Sequence, residues 1–149
     1  MASKTKNMNL QRTLYILLTY PNRLRHRLGF GVQSPSDYEL VRDVLFERLH
    51  YYAYDDQHLT SASDRQLWRL RNRFGADLQV ISDDASRLYS QIAGTSTPRT
   101  MLVVEGIDDD NAALWNVILH DARATVTFDL ADRGLVSFNP KRIKQNYTL

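Results

Sequence analysis

The chain has no cysteine among its 149 residues, which excludes disulfide bonds, cysteine nucleophiles and thiolate metal sites. Long apolar runs are also missing, since the longest near the start, residues 14–18, is far too short to span a bilayer. Polar residues precede this run and no small-residue cleavage site follows it, so we expect no signal peptide. These absences lead us to expect a cytoplasmic protein without a membrane partner.

Glycine is missing at the one turn where a nucleotide-binding α/β protein needs it. Residues 78–82 predict a short buried strand, and residues 85–93 predict the helix that follows. The connecting residues are Ser82, Asp83 and Asp84, whereas this turn usually carries glycines because the backbone must approach the ligand closely. A turn with two carboxylates and no glycine is unsuited to an anionic cofactor, because the carboxylates repel it and side chains keep the backbone away from it.

Acidic residues are absent from residues 1–36, which carry six basic residues: Lys4, Lys6, Arg12, Arg23, Arg25 and Arg27. The remainder of the chain holds the other 13 of the 19 basic residues and all 17 acidic residues. The formal charge is therefore +6 on residues 1–36, which we call the basic arm, and −4 on the remainder. A basic arm can bind nucleic acid or anionic lipid, or it can dock on its own protein or on a second copy. The arm is rich in apolar residues and has no dense basic run, so we favour docking.

Helical patterns dominate residues 1–76. Residues 1–7 are expected to be disordered, and leucine spacing predicts an amphipathic helix over residues 8–19, which Pro21 interrupts. Leu24 and Leu28 continue the apolar face on a second short piece, which Gly29 ends in a left-handed conformation.

Three further segments complete this helical part. A Ser-Pro start predicts a helix over residues 34–49. The tyrosines of residues 51–54 lie in an irregular segment and cover the edge of a core rather than reading bases. Another helix opens at Ser63 or Asp64 and closes at Gly75.

Strands and helices alternate from residue 77 onward, which predicts a parallel sheet covered by helices. The elements are strand 78–82, helix 85–93, strand 100–105 and helix 111–120. Strands 124–130 and 134–138 then form an antiparallel hairpin through a turn at residues 131–134, and residues 145–149 add a short strand. We therefore expect one α/β domain over residues 1–149, with N-terminal helices (1–76) on a mixed sheet of four or five strands (77–149).

This order of elements resembles the end of class I S-adenosylmethionine-dependent methyltransferases, and most of the chain resembles the methyltransferase-like proteins common in Bacteroidetes. Residues 29–35 (GFGVQSP) are similar to their Gly-x-Gly-Ile-His-Ser-Pro-Phe segment, with Gln33 in place of the histidine. Residues 65–74 resemble the helix that enters their first strand. Residues 100–115 resemble their fifth strand and its helix, and residues 126–147 resemble their closing hairpin.

The resemblance implies a partial Rossmann-like sheet whose S-adenosylmethionine site is missing. The family's first strand leads into Glu-x-Gly-Thr-Ser, but residues 80–84 are Val-Ile-Ser-Asp-Asp. Either strand 78–82 is the first strand and the second to fourth are absent, or it is the fourth and the first three are absent. Both alignments remove the cofactor loop. The residues left at this vestigial cleft are Ser82, Asp83, Asp84, Glu105 and Asp108.

The acidic residues after the two parallel strands suggest a second hypothesis, a Mg²⁺ or Ca²⁺ site. The simpler interpretation, which we favour, is that Asp84 and Asp110 cap the helices that follow them. The four histidines share no metal-ligand spacing, and no nucleophile motif or phosphate loop is present. We therefore assign no metal ligand and no catalytic residue.

The sequence thus predicts a non-catalytic methyltransferase-like protein without a cofactor, acting through protein contacts as a scaffold or regulator. Strand 78–82 forms an exposed apolar edge, so we expect a homodimer or a protein partner, through this edge or through the N-terminal helices. One alternative is an S-adenosylmethionine-dependent methyltransferase whose site a second chain completes. Another is nucleic-acid binding through the basic arm, which we consider the weaker hypothesis.

Overall fold

The computed structural model describes residues 10–149, in which helices surround a five-stranded mixed sheet. The helices are α1 (Leu10–Arg27), α2 (Pro35–Glu39), a π-helix (Leu40–Leu45), α3 (Tyr52–Asp56), α4 (Ala62–Phe74), α5 (Ala85–Thr95) and α6 (Ala112–His120). The strands are β1 (Leu78–Ile81), β2 (Met101–Glu105), β3 (Val126–Asp129), β4 (Arg133–Ser137) and β5 (Gln145–Thr148). None of the helices in this range is long and apolar enough to cross a bilayer.

The sheet has the order β1-β2-β4-β3-β5. Strands β1 and β2 are parallel, β4 is antiparallel to both β2 and β3, and β5 lies parallel to β3 at the far edge. The predicted α/β class, the parallel pairing of the first two strands and the antiparallel hairpin are confirmed. The short fifth strand predicted near the end of the chain is also present.

Helices cover both faces of the sheet, and strand β2 in its interior is apolar on both sides. Met101 and Val103 of β2 face one core, and Leu102 and Val104 face the other. The first core also contains residues of the π-helix and α4: Leu40, Val41, Val44, Leu45 and Leu70. The second contains residues of α5 and α6: Ala85, Tyr89, Ala93, Leu114, Trp115 and Ile118. Burial on both faces explains why β2 reads as an unbroken apolar run.

Pro21 does not interrupt α1, so the predicted break into two helical pieces is wrong. The helix continues through Pro21 to Arg27 although proline removes one backbone hydrogen bond. The segment after Pro21 is tied to the sheet by Arg23 and His26, and these contacts sustain the helix. Gly29 follows with φ of +85°, as predicted for its end. The predictions for residues 1–7 and for the start of the helix at residue 8 lie outside the described residues.

The helix predicted over residues 34–49 is shorter than expected. Helix α2 passes into the π-helix, and Phe46 leaves helical geometry at φ of −117°. The tyrosine segment predicted to be irregular forms the short helix α3. Helix α4 begins before the predicted Ser63 or Asp64, because the Ser61 hydroxyl caps it by accepting a hydrogen bond from the Asp64 amide at 3.0 Å.

The hairpin turn is one or two residues earlier than predicted, since Arg133 and Gly134 already belong to β4. Ala131 makes the turn with φ of +79°, a conformation that non-glycine residues rarely adopt. Gly134 faces the ring of Trp115 so closely that a Cβ at this position would overlap it. The absence of a side chain at residue 134 therefore lets α6 pack directly on β4.

Candidate functional site

The carboxyl ends of β1 and β2 meet at one edge of the sheet, and the five predicted cleft residues follow these two strands. The register pairs Ile81 with Val104, so Ser82 and Glu105 emerge side by side. The Asn111 side-chain amide donates one hydrogen bond to the Ser82 carbonyl and one to the Glu105 carbonyl, each at 2.8 Å. Their predicted proximity is confirmed, and an amide that the sequence did not single out holds the two strand ends together.

The turn after β1 contains no glycine and is open to solvent. Asp83 and Asp84 are both exposed, and Asp84 has a left-handed backbone with φ of +48°. Its carboxylate forms an ion pair with Arg87 in the first turn of α5. The predicted cap is wrong here, because the Asp84 side chain makes no capping hydrogen bond. It is wrong for Asp110 too, since Asn111 occupies the capping position of α6.

Glu105 is held in an ion pair that supports the fold. Its two carboxylate oxygens accept hydrogen bonds from Arg133 at 2.7 and 3.1 Å, in the bidentate arrangement that arginine favours. The Arg133 side chain, only 5% exposed, also donates to Ser63 and to the Gln66 side chain of α4. These contacts join α4 to the sheet, so Glu105 serves the structure here.

Asp108 is buried in the turn between β2 and α6. Across residues 10–149, no three Asp, Glu or His side chains are grouped so that they could hold a metal ion. Of the five cleft residues, Asp108 is buried and Glu105 is half-buried, whereas Ser82, Asp83 and Asp84 are exposed.

Helix α1 turns its polar side toward the sheet. Arg23 is 1% exposed and forms an ion pair with Asp129 at 3.2 Å. It also donates to the Leu149 carbonyl at 2.9 Å and, through Nε, to the Thr19 hydroxyl at 2.9 Å. His26 Nδ1 lies 2.7 Å from the carbonyl oxygen of Thr148 in β5. The favoured docking of the basic arm on its own protein is therefore observed for Arg23.

The opposite side of α1 is apolar and faces solvent. Five leucines and one proline follow the spacing 4-3-4-3-4 along this side, and we call them the α1 stripe: Leu10, Leu14, Leu17, Pro21, Leu24 and Leu28. The leucines of the stripe are 49% to 74% exposed, and the flanking Leu18 and Tyr20 are 80% and 55% exposed. Leu24 and Leu28 were expected to continue this apolar face on a second helical piece, because Pro21 was expected to interrupt the helix, so the single continuous helix was missed. The 4-3-4-3-4 spacing was the signal that could have found it.

Strand β1 forms an edge of the sheet, as predicted. Within the described part of the chain no strand pairs with its outer side, and Gln79 and Val80 are exposed. The strand is only four residues long, and its burial is interrupted. It therefore presents far less apolar surface than the α1 stripe.

Comparison of the chain with models of protein families, with curated proteins and with solved structures finds no match to any of them.

Proposed function

We propose that the protein is a non-catalytic methyltransferase-like protein that acts through protein–protein contacts, and that the α1 stripe is its contact surface. The inverted polarity of α1 carries this proposal, because Arg23 is buried while the leucines of the stripe face water. A surface helix normally does the reverse. Contiguous apolar surface of this kind marks interaction sites.

The occupant that the spacing favours is a second copy of the chain. A 4-3-4-3-4 repeat of apolar residues is the pattern by which two helices pack in a coiled coil. Each copy of α1 supplies one such helix, and Arg23 and His26 hold it in place from the other side. The eight exposed side chains of the stripe and its flanks present on the order of 800 Å², the area per partner of a standard interface.

The charges on α1 favour an antiparallel pair. In that arrangement Leu10 packs against Leu28 of the partner subunit, and Leu14 against Leu24 of the partner subunit. Arg25 then stands opposite Thr13 of the partner subunit and Arg27 opposite Gln11 of the partner subunit, so the arginines of the last turn of α1 lie at opposite ends of the pair. A parallel pair would instead gather Arg25 and Arg27 of both subunits at one end, where like charges repel.

Three features of the cleft support the non-catalytic part of the proposal. The turn at Asp83 and Asp84 has no glycine and is exposed. Glu105 is paired with Arg133. No metal-binding cluster occurs within residues 10–149. A site for S-adenosylmethionine would have to be built from other residues.

Light scattering on the purified chain tests the contact surface. We expect a dimer at micromolar concentration, and a monomer for Leu17→Glu, which places a carboxylate in the centre of the stripe. Ile143→Glu is the matched control, because Ile143 is 83% exposed and lies outside α1. It should remain dimeric. A monomeric parent protein, or equal dissociation of both variants, would contradict the proposed surface.

Calorimetric titration with S-adenosylmethionine tests the second part independently. We expect no heat of binding at high protein concentration, for the parent chain and for Leu17→Glu alike. Binding at micromolar affinity would contradict a non-catalytic role and favour an enzyme. If the Leu17→Glu variant lost that binding, the second chain would be completing the site.

A further inference from the structure

A groove of about 950 Å³ lies beside the first half of α4. It is bounded by the last turn of α1, the π-helix, the loop at residues 46–50 and α4. Five arginines line it: Arg27, Arg42, Arg48, Arg65 and Arg69. Its volume lies in the range of pockets that bind small molecules.

The positive charge in this groove is poorly balanced. Arg42 is paired with Asp43, but within residues 10–149 the other four arginines form no ion pair with a carboxylate. The carboxylate of Glu47, which also lines the groove, accepts hydrogen bonds from the backbone amides of Arg48 and Leu49 at 2.7 and 2.9 Å. In contrast, every arginine after residue 75 is ion-paired: Arg87, Arg99, Arg123, Arg133 and Arg142.

Two of these arginines are fixed in place by neighbouring groups. Arg69 donates to the Tyr54 hydroxyl at 2.9 Å and to the Leu45 carbonyl at 3.2 Å, at the end of the π-helix. Arg65 lies over the Tyr54 ring and uses only its Nε donor within the described residues, in a hydrogen bond to the Leu59 carbonyl at 2.8 Å. A guanidinium has five N–H donors, so Arg65 keeps four of them for a ligand.

Arg27 adds a donor that the protein does not satisfy. Its guanidinium lies 5.1 Å from the centre of the Phe46 ring, and its Nε is buried without a hydrogen-bond partner in the described structure. Buried donors are almost always paired. An acceptor oxygen supplied by a ligand in the groove would satisfy this group.

We propose that this groove binds a small organic polyphosphate, whose phosphate oxygens are held by Arg27, Arg48 and Arg65. Arginine matches phosphate oxygens with two parallel N–H donors, and several adjacent guanidinium groups suit a group that carries more than one negative charge. The apolar part of the ligand lies on Phe46 and Leu49, which also line the groove. Leu24 and Leu28 line the groove too but belong to the α1 stripe, so the proposed site is defined without them and does not rest on the proposed dimer.

Calorimetric titration of the full chain with ATP, inorganic tripolyphosphate and adenosine tests the site. We expect ATP to bind more tightly than tripolyphosphate, and adenosine to give no measurable heat. Arg48→Gln should weaken ATP binding at least tenfold, and so should Arg65→Gln. Arg48 is the safer position for the fold because it is exposed. Absence of heat with both phosphate compounds would overturn the proposal.

Arg71→Gln and Arg73→Gln are matched controls, since both residues are exposed on α4, lie outside the groove and remove the same charge. They should leave the ATP affinity within twofold of the parent value. A loss equal to that of Arg48→Gln would show general attraction of anions and overturn the site. A single-stranded oligonucleotide forms the last arm of the test. If it bound while ATP and tripolyphosphate did not, the groove would be a nucleic-acid surface and not the proposed site.

Discussion

Arg23 and Asp129 form a buried ion pair that joins α1 to strand β3, with a guanidinium nitrogen 3.2 Å from a carboxylate oxygen. Their side chains are 1% and 7% exposed. The same carboxylate accepts a hydrogen bond from the indole of Trp115 at 3.3 Å and one from the Ala131 amide at 3.0 Å. The helix that carries the proposed interface is therefore positioned by a contact that also organises the hairpin turn.

Replacing Arg23 with methionine should lower the free energy of unfolding by about 3–5 kcal/mol, because it leaves the buried Asp129 carboxylate without this guanidinium. Urea denaturation of parent and variant measures the change. Arg25→Met is the control, since Arg25 is an exposed neighbour on the same helix, and its effect should stay within about 0.5 kcal/mol. The double variant Arg23→Met/Asp129→Asn should lose less than the two single changes together. Strict additivity would argue against a coupled pair.

Gly134→Ala should destabilise the protein by about 1–3 kcal/mol, because the added methyl group overlaps the ring of Trp115 and the core must shift to accommodate it. In a Trp115→Leu background the same change should add little further loss, which denaturation of the four combinations would reveal. Gly94→Ala is the control. A Cβ on Gly94 in α5 meets no heavy atom within 4 Å, so this change should stabilise the helix by about 0.5–1 kcal/mol.

Asp121 should make stability depend on pH. The hydrogen bonds from Arg123 hold the pKa of the Asp121 carboxyl well below its ordinary value, and the Tyr89 hydroxyl also donates to it at 2.7 Å. A lowered pKa in the folded state means that this contribution is complete above the unfolded value of about 3.9 and declines as the pH falls below it. Asp121→Asn should therefore cost about 2 kcal/mol at pH 7 and progressively less below pH 4. Denaturation of the parent and the variant, measured across this pH range, checks this difference.

The fold was largely predictable because its sequence signals are local. A continuous apolar run predicts a buried strand, and alternating apolar and polar residues predict a hairpin. The apolar run of β2 predicted its place in a parallel sheet, and the hairpin that follows α6 was predicted as the antiparallel pair of β3 and β4. The path of α1 was not, because the rule that proline ends a helix is local. The contact that overrides it, Arg23 with Asp129, joins residues 106 positions apart.

In the candidate sites, too, features set by the order of the elements were predictable, and contacts between residues distant in sequence were not. Parallel pairing of β1 and β2 brings Ser82 and Glu105 together, as the order of the elements predicted. The partner of Glu105 was missed, although β2 and β4 place Arg133 directly opposite it, because that register was not known in advance. The arginine groove was beyond prediction, since its walls come from four segments whose proximity depends on packing.

Because the chain has no cysteine, a single introduced cysteine is the only thiol in each variant. The proposed antiparallel pairing of α1 can therefore be tested by thiol cross-linking. Leu14 and Leu24 are exposed residues of the stripe that should lie opposite one another across the dimer, and each is replaced singly, as Leu14→Cys and Leu24→Cys. With a short thiol cross-linker, a mixture of the two variants should give a covalent heterodimer, while each variant alone should remain uncoupled. A parallel pair would reverse this result, because each position would face its own copy. Mass spectrometry separates the two outcomes, and Ile143→Cys, outside the stripe, should not couple in either case.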